Sequence, residues 1–183
     1  VFIVATLRGM LEQRERQWKD PGFSSLFLSI VVFAIGGAIA VNISGANTII
    51  PAHYHCSIGA VTIAFMGLFY KAAPLLGRRV RFPRLASVQP WLYSLGVVMF
   101  ALGLFLAGSH GVEHKTYGAE QHLDYIGRFV GMSIMGAGSL VAIAGGIAFV
   151  WNALATLLGA WRDEGEGRRA GHDGVTELAV EHK

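Results

Sequence analysis

Four uncharged apolar runs, at 23–44, 49–70, 88–108 and 129–161, constrain this chain more than any other feature. Each reaches the roughly 20 residues that a helix needs to cross the hydrocarbon layer of a bilayer. With 53% of its 183 residues hydrophobic and only 15% charged, the chain carries more apolar surface than a soluble domain of this size hides in one core. The runs predict an all-α membrane protein with four complete transmembrane helices and lipid as its solvent.

The opening residues, VFIVATLRGM, form a further apolar piece. Without a starter Met, a basic n-region or a cleavage site they do not read as a signal peptide. They are expected to be the end of a fifth helix, which would make the chain the C-terminal part of a larger protein. Of the 15 Lys and Arg residues, only Lys115 and Arg128 fall on one side of the alternating spans; the others, including Arg78, Arg79, Arg81, Arg84 and Arg162, fall on the other. The positive-inside rule then puts the Arg-rich connectors and the C-terminal tail in the cytoplasm, and the 45–48 and 109–128 loops outside. RRVRFPR is read as this orientation signal, not as a lipid-headgroup site or a nucleic-acid site, and no nucleic-acid partner is expected. Cys56, the single cysteine, lies within a span, where it packs as a small apolar residue.

Residues 11–22 read as a polar connector, with Asp20-Pro21-Gly22 as a turn before the first full span. Residues 77–90 read as a second connector, broken by Pro83 and Pro90. After Trp161 the sequence turns polar and Gly-rich, which predicts a solvated tail over 162–183 with little fixed structure; His172 and His182 lie there without an assigned role. Many of the 24 glycines fall inside the spans, where small residues let helix backbones approach closely. Ala142, Gly145, Gly146 and Ala148 suggest one such seam of the last span.

Ionisable groups in a membrane helix cost free energy and are functional candidates. His53 and His55 follow Pro51, which suits the first turn of a helix starting near the outer surface. At about 100° per residue, positions i and i+2 project roughly 200° apart. One metal held by both rings would favour i and i+4 spacing instead, so the pair points to two partners on opposite sides of one helix. Two haems, each taking one imidazole, would satisfy both; interfacial rings bonded to water or backbone carbonyls would do so too.

The stretch NTIIPAHYHCSIGAVTIAFMGLFYKAAP resembles the tenth helix of the catalytic subunit I of haem–copper respiratory oxidases, with its A-H-[FY]-H pattern and following small-residue and aromatic run. VFIVATLRGM is similar to the end of the family's helix eight, and Phe33-Ala34-Ile35-Gly36-Gly37 to the F-x-I-G-G of helix nine. The three matches cover about Val1 to Gly77 in the right order, and the last two spans fit helices eleven and twelve by count. The resemblance implies that His53 binds the iron of the high-spin haem and His55 that of the low-spin haem, with Tyr54 packed near both. Each imidazole must be neutral to ligate iron, so a dry site helps.

In the outer loop SHGVEHKTYGAEQHLDYIGR the resemblance implies a basic pair for haem propionates, and His114-Lys115 stands where the family has Pro-Arg-Arg. Lys is a point donor and not a planar fork. Alternatively His110, His114 and His122 bind a metal such as zinc, or the loop is merely solvated. Gly45-Ala46-Asn47-Thr48 replaces the His-Asp associated with a magnesium site in many relatives, so no such site is expected. That departure, with Pro51, points to a branch outside the mitochondrial-like group, in a bacterial or archaeal cytoplasmic membrane. The implied function is oxygen reduction with electron transfer between two haems and proton translocation; copper would be bound by ligands outside this segment. Implied partners are the rest of subunit I, other oxidase subunits and a cytochrome c or quinol donor. A nitric oxide reductase of the same superfamily and a non-catalytic membrane scaffold are the alternatives.

Overall fold

The computed structural model describes residues 17–116, 118–121 and 125–180, with backbone alone for 120 and 160–180. Four α-helices follow one another: α1 (Pro21–Ala40), α2 (Ile49–Leu75), α3 (Pro83–Ser109) and α4 (Ile126–Val180). Short 3-10 turns at Gln17–Lys19 and Gly118–Gln121 flank them, and no strand occurs among the described residues. All four helices are long and apolar enough to cross a membrane, α4 over Ile126–Gly159. At 1.5 Å per residue, the 27 residues of α2 and of α3 reach about 40 Å. The chain is an integral membrane protein built as an antiparallel helical bundle.

Three helices, α1, α3 and α4, start earlier than the apolar runs suggest. Pro83 sits in the first turn of α3, where its missing N–H has no intrahelical partner to lose. Pro90 lies inside the same helix, buried against its neighbours, as transmembrane helices tolerate when they pack on others. The connector is therefore 76–82 and not 77–90. Likewise Asp20-Pro21-Gly22 begins α1: the Asp20 carboxylate accepts the Phe23 N–H at 2.8 Å and caps the helix. At the far end of the chain, α4 stays helical to Val180, where the sequence suggested a tail with little fixed structure. No proline follows Pro90 to stop it.

Contact between backbones holds the bundle. Along α4, Gly131, Met135, Gly138, Ala142 and Gly145 recur at alternating intervals of four and three, the spacing of a continuous seam. They meet Ala107, Gly103, Phe100, Gly96 and Tyr93 of antiparallel α3, and a Cβ added at Gly96, Gly103, Gly131 or Gly138 would strike the opposing backbone. Of the expected seam, Ala142 and Gly145 lie in it, whereas Gly146 only edges the Tyr93 ring. On the other side Gly36 of α1 fits against Cys56 of α2, Gly67 of α2 against Ser25 of α1, and Gly59 of α2 against Val97 of α3. The apolar core threads these contacts: Leu28, Val32 and Ile39 with Ala52, Cys56, Ile63, Ala101 and Leu104. Outward faces carry exposed Phe33, Ile58, Phe65, Ile147 and Leu158, the arrangement expected where lipid or further helices replace water.

Polar ties close both ends. At the Arg-rich end, buried Asn152 of α4 accepts the Phe82 N–H at 3.1 Å and donates to the Phe82 carbonyl at 3.2 Å, while Thr156 accepts the Arg81 N–H at 3.0 Å. Between α2 and α3, Tyr70 donates to Gln89 at 3.2 Å. Lys71 donates to Asp20 at 2.7 Å. At the opposite end Thr48 donates through Oγ1 to the Leu104 carbonyl and through N–H to that of Val112, and the His114 N–H donates to the Ala46 carbonyl. The 41–48 and 110–116 connections are thereby joined.

Asn152→Leu leaves the Phe82 N–H without its partner, while the Phe82 carbonyl keeps only the Ala86 N–H, and should cost about 1–3 kcal/mol, read as a lower unfolding midpoint in detergent. Partial burial pushes the Asp20 carboxyl upward, but hydrogen bonds from Lys71 and the Phe23 N–H and the Lys71 charge outweigh this and hold it below its ordinary 3.8. A lowered carboxyl stabilises the fold above that ordinary value and loses the contribution as pH falls through the lowered one. Helical content followed by circular dichroism below about pH 4 should therefore fall less steeply in Asp20→Asn than in the native protein.

Candidate functional site

His53 and His55 sit in the first two turns of α2, at the end of the bundle where the 41–48 and 110–116 connections meet. Pro51 precedes them at the third helical position, where a missing N–H costs little. Both rings are half-buried, and their directions differ as the i, i+2 spacing requires. His53 Nδ1 donates across the helix pair to the Gly36 carbonyl of α1 at 2.9 Å. His55 Nδ1 donates to the Pro51 carbonyl one turn back at 2.7 Å. A carbonyl oxygen can only accept, so Nδ1 carries the proton in each ring and a neutral imidazole keeps its lone pair on Nε2. Metal-ligating histidines use this same arrangement to fix the ring and raise its basicity.

The surroundings of the two rings are unlike. The His55 ring packs on Tyr54 (ring centroids 4.6 Å apart) and on Phe100 of α3 (4.7 Å). A cavity of about 250 Å³ opens beside it among α2, α3 and α4, lined by Ile58, Gly59, Tyr93, Val97, Phe100, Ser139, Ala142 and Ile143. Its wall is largely apolar, as suits a flat hydrophobic group brought to the ring. His53 instead faces α1, where the absence of a side chain at Gly36 admits α2: a Cβ there would lie 2.8 Å from Cys56 Cβ and 3.3 Å from the His53 carbonyl. Tyr54 between them is 37% exposed. The chemistry of this donor set fits two separate planar metal cofactors on opposite sides of one helix.

His114 and Lys115 lie in the connection that closes the same end of the bundle. Lys115 is exposed and takes a left-handed backbone with φ 67°, unusual for a side chain other than Gly, Asn or Asp. His110 is committed elsewhere: Nδ1 donates to the Leu106 carbonyl, and the ring packs on Gly127 and Tyr125. His122 and His182 lie outside the described residues, as do the opening residues 1–16 and, beyond its backbone, His172. Among the described residues no three His, Cys, Asp or Glu side chains converge to hold a metal ion. Sequence reasoning missed the carbonyls of Gly36 and Pro51 as acceptors and the Tyr93, Phe100 and Ser139 wall. An acceptor four residues before a histidine is a local signal that could have found Pro51; the others depend on neighbouring helices.

Fold and site together define a membrane-embedded helical bundle that presents two tautomer-fixed imidazoles near one surface. No family model matches the chain. It is 34% identical over 137 residues to an uncharacterized protein of Rickettsia prowazekii, covering 69% of this chain and 26% of that protein. To a cytochrome c oxidase subunit 1 of Thermus thermophilus it is 27% identical over 158 residues, 79% of this chain and 28% of the relative. A further cytochrome c oxidase subunit 1 sequence of Thermus thermophilus is 30% identical over 108 residues, 52% of this chain and 99% of the relative. The chain belongs to the cytochrome c oxidase subunit 1 family, and it spans about a quarter of the length of the first two of these relatives.

Gly36→Ala should force α1 and α2 apart and lengthen the His53–Gly36 bond, at a cost of about 1–3 kcal/mol. Gly37→Ala meets nothing within 4 Å and serves as the control. Equal thermal midpoints for the two variants in detergent would show that the close approach at Gly36 is not tight.

Proposed function

We propose that this chain is a C-terminal segment of the haem- and copper-containing catalytic subunit of a terminal respiratory oxidase, with His53 ligating the iron of the high-spin haem and His55 that of the low-spin haem. The observation that carries this reading is the paired Nδ1–carbonyl hydrogen bonds, which leave two Nε2 lone pairs on opposite sides of one helix. Similarity to the two cytochrome c oxidase subunit 1 sequences favours oxygen over nitric oxide as the substrate. The bound haems would supply one-electron chemistry, with oxygen reduced to water and protons translocated in the complete subunit. The ligands for copper lie in the remainder of that subunit.

The residues present have defined work in this scheme. The Gly36 and Pro51 carbonyls orient the two rings and hold the proton on Nδ1, which leaves Nε2 as the donor atom of each. Tyr54 and Phe100 pack on the His55 imidazole, and a largely apolar wall from Gly59 to Ile143 borders the cavity beside it. Dry, low-dielectric surroundings and the hydrogen bond behind the ligand are the levers that tune an iron potential. Lys115, exposed beside His114 in the adjoining connection, is the charge partner proposed for haem propionates. In this reading the Arg-rich connectors and the C-terminus are cytoplasmic, and the histidine end of the bundle is outside.

Reduced-minus-oxidised spectra of the complex that contains this chain test the assignment. His55→Ala should abolish the low-spin band and spare the high-spin one; His53→Ala should do the reverse. A full low-spin signal in His55→Ala overturns the ligand assignment, and a native complex without haem favours a scaffold.

A further inference from the structure

The other end of the bundle holds a second cavity that the haem reading does not use. It measures about 410 Å³ and lies between the Gln17–Lys19 turn, the start of α1, the end of α2 and the connector into α3. Its lining is divided. Lys19, Asp20 and Lys71 supply charge, while Tyr70, Val80 and Pro83 supply apolar wall. Such a division suits a ligand with an anionic head and a hydrocarbon body, and basic pockets between membrane helices take anionic lipid headgroups.

The level of the cavity agrees with that class of ligand. Trp18, next to Lys19, packs edge-on against Phe23 and Phe27 and lies 6.0 Å from Trp91 of α3. Both tryptophans are partly exposed, at 37% and 40%. Tryptophans gather at the boundary between headgroups and hydrocarbon, where their rings meet both phases. Lys71 is the last charged residue of α2, and its aliphatic stem lies over Gly22, where any side chain would collide with it. That stem aims the ammonium along the cavity rim toward Asp20, in the manner of a long cationic side chain reaching the interface. Lys19 makes no ion pair among the described residues.

We propose that this cavity binds the headgroup of an anionic phospholipid, with its phosphodiester between the ammonium groups of Lys19 and Lys71 and its upper acyl carbons against Val80, Pro83 and Tyr70. Asp20 opposes the ligand: its carboxylate competes with the phosphate for Lys71 while it caps α1. The site rests on the fold and is independent of the haem assignment.

The test uses the full chain in its native complex. The complex is equilibrated in neutral detergent with equal amounts of phosphatidylglycerol and phosphatidylcholine, repurified, and the retained lipid counted by native mass spectrometry. Phosphatidylglycerol should be retained in preference. Each of Lys19→Gln and Lys71→Gln should weaken its retention about fivefold, whereas Lys19→Arg should preserve it. Asp20→Asn, which keeps a capping oxygen but releases Lys71, should strengthen it. Lys19→Gln breaks no ion pair among the described residues, so it remains informative if Lys71→Gln fails to fold. Equal retention of the two lipids, or native retention in Lys19→Gln, overturns the proposal. Displacement of the lipid by millimolar inorganic phosphate also overturns it, in favour of a site for free anions.

Discussion

Backbone-to-backbone contact at glycine is the interaction on which the rest of this structure depends. Between helices whose outward faces are as apolar as lipid, hydrophobic burial supplies little net attraction. What remains is dispersion, which falls steeply when a gap of even an ångström opens, together with a few hydrogen bonds. The α3–α4 seam meets that demand by removing side chains where the two backbones cross, at Gly96, Gly103, Gly131 and Gly138. In the α1–α2 pair, Gly36 and Gly67 instead make room for the Cβ atoms of Cys56 and Ser25.

The candidate site is a consequence of that packing. His53 reaches a carbonyl of another helix only because position 36 has no Cβ to hold α2 away. His55 is served within its own helix, so its partner is local, but the Phe100 ring beside it and most of its cavity wall come from α3 and α4. One packing event therefore sets the direction of one ring, and the assembly of three helices sets the environment of the other. The two imidazoles are close in sequence yet inhabit different parts of the bundle.

Chain polarity follows the same pattern. Polar side chains near the helix ends tie connectors and helices together: Asp20 to Lys71, Asn152 and Thr156 to residues 81 and 82, Thr48 to Leu104. Most prolines stand near helix ends, Pro21, Pro51 and Pro83 in first turns and Pro74 in the last turn of α2. Pro90 is the exception, and burial in the bundle explains its tolerance inside α3. A break read from Pro90 alone failed because tertiary contact compensates for the hydrogen bond that proline removes.

By itself the sequence determined that the described part of this chain holds four helices long and apolar enough to cross a membrane, because run length and the absence of charge answer directly to bilayer thickness. It also determined that His53 and His55 face apart, since two residues of helix turn through roughly 200° whatever surrounds them. Family resemblance could be read from the residues around that pair. Only the tertiary structure decided which nitrogen of the His53 ring stays free, because the Gly36 carbonyl belongs to another helix. It alone decided where α3 begins and which glycines form the seam with α4. The cavity bounded by Lys19 and Lys71 was likewise invisible in the sequence, since those two residues lie on different elements and meet only when α1 and α2 pack.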